Sequence, residues 1–112
     1  MPKGRIFKPE KETYMDETSG LEIVRLTKGP WLDLNRYFVT CSWTPDEKYI
    51  IFCSTRDGEI LQLYRIDRDG EVVQLTEGPR VKAYSACISK DGREVYFPDG
   101  NHIKSVNIET LE

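Results

Sequence analysis

The feature that most constrains this chain is a pattern that returns at a fixed interval. Four short apolar or alternating runs, Thr40–Trp43, Tyr49–Cys53, Leu61–Ile66 and Val72–Leu75, are separated by Pro45-Asp46-Glu47, Arg56-Asp57-Gly58 and Arg68-Asp69-Gly70. Runs this short, rich in aromatic and β-branched residues and bounded by Asp-Gly or Pro-Asp, predict strands joined by hairpins. The segment Ala86-Cys87-Ile88-Ser89-Lys90-Asp91-Gly92-Arg93-Glu94-Val95-Tyr96-Phe97 then lies over Cys41-Ser42-Trp43-Thr44-Pro45-Asp46 and its continuation, with Asp46 mapping to Asp91 and Phe52 to Phe97. Upstream, Tyr14-Met15-Asp16 and Ile23-Val24-Arg25-Leu26-Thr27 echo Tyr64 through Thr76. A four-stranded meander has the size of one propeller blade, and a period in the mid-forties is what a radial array of blades produces. The expected fold is therefore all-β, built of β-propeller blades as four-stranded antiparallel meanders.

The repeat divides the chain. Residues 1–12 carry Pro2, Pro9 and alternating charge and read as an arm with little to bury. Residues 13–27 read as a hairpin around Thr18-Ser19-Gly20 that completes the last blade of a closed propeller. Residues 36–76 read as the first full blade, and 84–112 as a second blade lacking its outer strand. That makes about two blades plus a hairpin, whereas a propeller needs at least about four blades to close. The expectation is a piece of a longer protein whose open strand edges pair with the remaining blades or with another copy.

Composition removes several functions. Sixteen basic residues stand against nineteen acidic ones, a formal −3, and no basic stripe points to nucleic acid. No apolar run approaches the length of a membrane span, and the N-terminus lacks the apolar stretch of a secretory signal. Cys41, Cys53 and Cys87 are an odd set without metal spacing, all in strand runs, which fits a reducing, cytoplasmic setting.

The order of Thr13-Tyr14-Met15-Asp16, Thr18-Ser19-Gly20, Ile23-Val24-Arg25-Leu26-Thr27, Arg36-Tyr37-Phe38, Trp43-Thr44-Pro45-Asp46 and Gln74-Leu75-Thr76-Glu77-Gly78 resembles the opening of an oligogalacturonate lyase. Ile103-Lys104-Ser105-Val106-Asn107-Ile108-Glu109-Thr110-Leu111-Glu112 continues the likeness. It covers nearly all of this chain and about the first third of such an enzyme. The resemblance implies a seven-bladed propeller, a divalent metal (manganese is the usual one), and β-elimination on oligogalacturonides in pectin degradation. In that family the metal is held by histidines and a glutamine of later blades, and the proposed base lies there too. The resemblance therefore places neither catalytic residue nor metal ligand in these residues, and the chain alone is expected to be inactive. Leu34 stands where family members often carry a histidine.

Within the chain the candidates are modest. A crossover between blades lies on the same rim as the loop joining a blade's second and third strands. Arg36, Arg56, Arg80 and Lys82 fall on such segments, and guanidinium forks suit the carboxylates of an acidic oligosaccharide. They are the candidate substrate-binding residues. His102 is the only histidine, with no second one to share a metal. Asp57, Asp69, Asp91 and Asp99 pair with Gly at turns, where Asp accepts backbone hydrogen bonds, and no loop has the spacing of a calcium site. Trp43 and Tyr96 sit inside strand patterns and read as core; Trp31 and Tyr84 lie on crossovers. A non-catalytic TolB-like propeller segment that binds proteins through open strand edges is the alternative. The propeller of a prolyl-peptidase-like enzyme is a third.

Overall fold

A computed structural model describes residues 3–34, 42–58 and 60–112. Its strands are β1 (Ile6–Phe7), β2 (Glu12–Met15), β3 (Glu22–Arg25), β4 (Asp33–Leu34), β5 (Ile50–Ser54), β6 (Gln62–Ile66), β7 (Val72–Gln74), β8 (Cys87–Ile88), β9 (Glu94–Asp99) and β10 (His102–Asn107). A turn of 3-10 helix spans Ala83–Ser85. The fold is all-β and every strand pairing is antiparallel.

Three sheets result: β1-β7-β6-β5-β4, β10-β9-β8, and the β2-β3 hairpin. The turns that join them use the residues the sequence marks. Gly58 donates to the Thr55 carbonyl at 3.0 Å and Gly70 to Asp67 at 3.1 Å. Both glycines have positive φ, 120° and 95°, a conformation that penalises any side chain. The Pro45-Asp46 and Asp91-Gly92 turns are built alike. Thr44 Oγ1 donates to Asp46 Oδ1 and Ser89 Oγ to Asp91 Oδ1, each at 2.6 Å. The left-handed position is filled by Glu47 (φ 60°) in one and Gly92 (φ 76°) in the other.

Period-two alternation explains the core. Ile51 and Cys53 of β5 and Leu63 of β6 face one side, where Leu75, Val81, Ala83, Ala86, Val95, Phe97, Val106 and Ile108 join them. Phe52, Tyr64 and Ile66 face the other, with Phe7, Val72 and the half-buried Leu26, Trp31 and Ile50. The first cluster glues the five-stranded sheet to the three-stranded one; the second receives the N-terminal segment and the crossover. Each fully buried aliphatic or aromatic side chain contributes about 1.5–3 kcal/mol. Across the sheet boundary, Arg65 of β6 stacks over the Tyr49 ring at 5.0 Å and donates to the backbone carbonyls of Ile108 and Glu109.

Several placements differ from the sequence reading. Residues 1–12 were expected to bury little, yet β1 adds a strand outside β7, with Ile6 opposite Val73 and Phe7 opposite Val72. Phe7 is only 8% exposed there, because the aromatic rings of Trp31 and Tyr64 meet it edge-on at 5.8 and 6.0 Å. Asp33 and Leu34, expected in a crossover, already pair with Ser54 and Cys53 of β5. Of the expected strand Thr40–Trp43, Thr40 and Cys41 lie outside the described residues. Trp43 bridges Ile50. Trp43 and Tyr96, expected in the core, are exposed: the Trp43 ring is covered by the Arg68 guanidinium at 5.5 Å rather than by apolar side chains.

Candidate functional site

The crossover and the loop meet as the repeat predicts. Leu32 donates its backbone N–H to Thr55 Oγ1 at 3.0 Å, and Thr55 donates to the Leu32 carbonyl at 3.1 Å. The next crossover sits against the start of β6, with Gln62 Nε2 donating to the Gly78 carbonyl at 2.7 Å. Thr76 Oγ1 donates to Gln62 Oε1 at 2.8 Å, and Gln74 Nε2 donates to Asp57 Oδ2 at 3.0 Å. The rim of the five-stranded sheet is thus lined by a buried polar network, which rigidifies when its members are satisfied.

Arg56 is the hub of this rim. The tight turn that ends at Gly58 points its side chain inward, and no part of that side chain is exposed. Its guanidinium meets Glu10 through a two-pronged contact, Nη2 to Oε1 at 2.9 Å and Nη1 to Oε2 at 3.2 Å. Nη2 also reaches Asp33 Oδ2 at 3.3 Å. The plane stacks on Trp31, 4.4 Å from the ring centre, and lies 5.1 Å from that of Phe7. Gly29 makes this possible, since an added Cβ would sit 2.1 Å from the Trp31 ring. Burial opposes ionisation of Glu10, but the bonds from Arg56 and from the Lys28 N–H outweigh it and hold the carboxyl below its ordinary value.

The other predicted ligands lie elsewhere. Arg36 is outside the described residues. Arg80 and Lys82 are exposed and flank the Asp99-Gly100 turn of the three-stranded sheet. The Arg80 carbonyl accepts from Gly100 at 3.1 Å, and Lys82 donates its backbone N–H to Pro98 at 3.0 Å. The Asp99 carboxyl is held low chiefly by Lys104, whose Nζ stands 2.7 Å away, with Arg80 and His102 adding to it. Arg56 therefore belongs to a buried cluster and Arg80 with Lys82 to an exposed one. Tyr64, which the sequence does not mark as polar machinery, lies fully buried beneath Arg56's rim. Burial first, then the Asp57 carboxylate, pushes its hydroxyl up to about 12, so it holds its proton at neutral pH. What the sequence does not reveal is Glu10, 46 residues from its partner Arg56.

Metal chemistry finds no donors here. Among the described residues no group of three His, Cys, Asp or Glu side chains stands together. His102 is exposed on β10 opposite Asp99. These residues do not fit a divalent-metal site. Nor, among the described residues, is any helix long and apolar enough to cross a membrane.

No protein-family model and no curated protein matches the chain. Solved structures do. A crystal structure of oligogalacturonate lyase from Vibrio parahaemolyticus superposes with a TM-score of 0.86 at 28% sequence identity, over 99% of this chain and 30% of that one. An oligogalacturonate lyase in complex with manganese gives the same TM-score and identity over 100% of this chain and 30% of its own. The chain resembles oligogalacturonate lyases in both sequence and fold, and it spans about 30% of the length of these two.

Proposed function

We propose that this chain is the N-terminal segment of an oligogalacturonate lyase-like propeller protein that degrades pectin fragments by β-elimination in the cytoplasm. The observation that carries the reading is the superposition over the entire chain at a TM-score of 0.86, with 28% identity. In this reading residues 36–76 are the first blade, 84–112 most of the second, and 13–27 the hairpin that completes the last blade of a seven-bladed ring. The acidic oligosaccharide binds where the whole ring closes, with Arg36, Arg80 and Lys82 available to its carboxylates.

The chemistry requires a base to take the proton α to the uronate carboxylate and a charge sink for the developing anion. A divalent metal on that carboxylate supplies the sink when bound. No described residue here fits that role, so the segment contributes scaffold and rim. The 112-residue chain alone should release no unsaturated uronate from oligogalacturonides, with or without manganese. Added to the Vibrio parahaemolyticus lyase lacking the 30% of its chain that is matched, it should form a complex and restore metal-dependent elimination. Elimination by the chain alone, or failure to associate with the truncated lyase, would overturn the proposal.

A further inference from the structure

Glu10 sits in a receptor made for a carboxylate. Three donors converge on it: Arg56 Nη2 and the Lys28 backbone N–H on Oε1, both at 2.9 Å, and Arg56 Nη1 on Oε2 at 3.2 Å. The guanidinium is also held by Asp33 through Nη2 and lies against the Trp31 and Phe7 rings. A planar fork backed by aromatic faces and closed to water is the geometry that recognises carboxylates with both strength and direction. The carboxylate arrives from far along the chain, on the segment that also carries β1.

We propose that this Arg56–Lys28 pocket is a carboxylate-binding site whose resident ligand is Glu10, and that its occupancy latches the N-terminal segment onto the outer edge of β7. Besides this contact the segment is held by the two-residue pairing of β1, by Gly4 N–H to the Gln74 carbonyl at 2.8 Å and Gln74 N–H to the Arg5 carbonyl at 2.9 Å, by the buried Phe7 ring, and by Lys3 N–H to Glu77 and Lys11 Nζ to the Arg68 carbonyl. Two residues of ladder are marginal alone, so the charge contact, with the burial of Phe7, sets how often the segment lifts. The ligand class is a small carboxylate presented edge-on; an acidic sugar carries one, as does acetate. The argument is independent of the lyase reading, since it rests on the contacts of Glu10 only.

Amide hydrogen exchange on the full chain tests this. In Glu10→Ala the amides of Gly4 and Gln74 should exchange about tenfold faster or more, from loss of charge-assisted bonds. Leu75, whose N–H goes to Leu63 at 2.8 Å within the sheet, should hold its protection. Added acetate should refill the pocket and return the slow exchange, while chloride at equal ionic strength should not. Glu10→Gln, which keeps the side-chain length and one acceptor oxygen, should fall between and serves if the alanine variant does not fold. Unchanged exchange at Gly4 and Gln74, equal acceleration at Leu75 in both variants, or repair by chloride as good as by acetate would each overturn the proposal.

Discussion

The five-stranded and three-stranded sheets begin from the same repeat and end differently. In the first, β7 is covered by β1, the crossover is pinned to the β5–β6 loop, and Arg56 is sealed between two carboxylates and two aromatic rings. In the second, β10 is an edge strand whose Ile103 is 75% exposed, and its ion pair, Lys104 with Asp99, is open to water on the lysine side. Similar turn chemistry thus gives one sheet whose third hairpin strand is covered by β1 and one whose last strand is left at the edge. The difference comes from long-range partners: the first sheet recruits a distant strand, and the second has none among the described residues. An edge with unpaired backbone groups is a template for a further strand, so self-association should run through β10 rather than β7.

The largest test of this contrast removes the hub. Arg56→Ala leaves Glu10 and Asp33 without their cation in a mostly buried setting and should cost about 3 kcal/mol, read by urea denaturation. A loss no larger than that of a surface substitution would show that the closed rim is held by apolar packing alone. Next comes alkali. The Tyr64 hydroxyl has no hydrogen-bond partner among the described residues, and its folded value of about 12 lies above the ordinary 10.0. The unfolded chain therefore binds fewer protons than the folded one between these values, and stability should fall there by up to about 1.4 kcal/mol per pH unit. Tyr64→Phe should remove that decline from the unfolding curve measured across the same window.

The paired turns sharpen the comparison at smaller scale. Gly92 has φ 76°, and an added Cβ would lie 2.6 Å from Pro45 Cδ, so Gly92→Ala should destabilise by about 1–3 kcal/mol. Glu47 occupies the matching left-handed position with open solvent above it. Glu47→Gly should therefore stabilise by about 0.5 kcal/mol, the relief of strain exceeding the added chain entropy. The same residue type is thus required in one turn and merely welcome in the other, and thermal melts of the two variants should move in opposite directions. Smallest of all is Lys104→Ala on the open sheet, which should shift stability by less than about 0.5 kcal/mol.

How much of this was written in the sequence depends on the range of the interaction. The runs Tyr49–Cys53, Leu61–Ile66 and Val72–Leu75 correspond to β5, β6 and β7, because alternation and Asp-Gly turns act over a few residues. β1 was illegible: Ile6 and Phe7 stand among prolines and lysines, and only the edge of β7 and the Trp31 ring make them a strand. Arg56 read as a rim cation open to substrate, since loop position says nothing of what folds over it. Its partner Glu10 carries no local signal at all. Trp43 and Tyr96 read as core because alternation reports that a strand has two faces, not which of them another element covers.

Arg65 carries a consequence for how such sheets diverge. Its guanidinium grips the three-stranded sheet through the carbonyls of Ile108 and Glu109, groups that every residue possesses. The turn it holds is shaped by Asn107, whose Oδ1 accepts from Glu109 and Thr110 at 2.9 Å each. This link is therefore blind to side-chain identity, whereas the apolar cluster of Ile51, Leu63, Val95 and Ile108 that joins the same two sheets is not. Duplicated units joined through carbonyls around an apolar core need keep only the hydrophobic character of that core to stay aligned, so a period can survive in the backbone after it has faded from the letters.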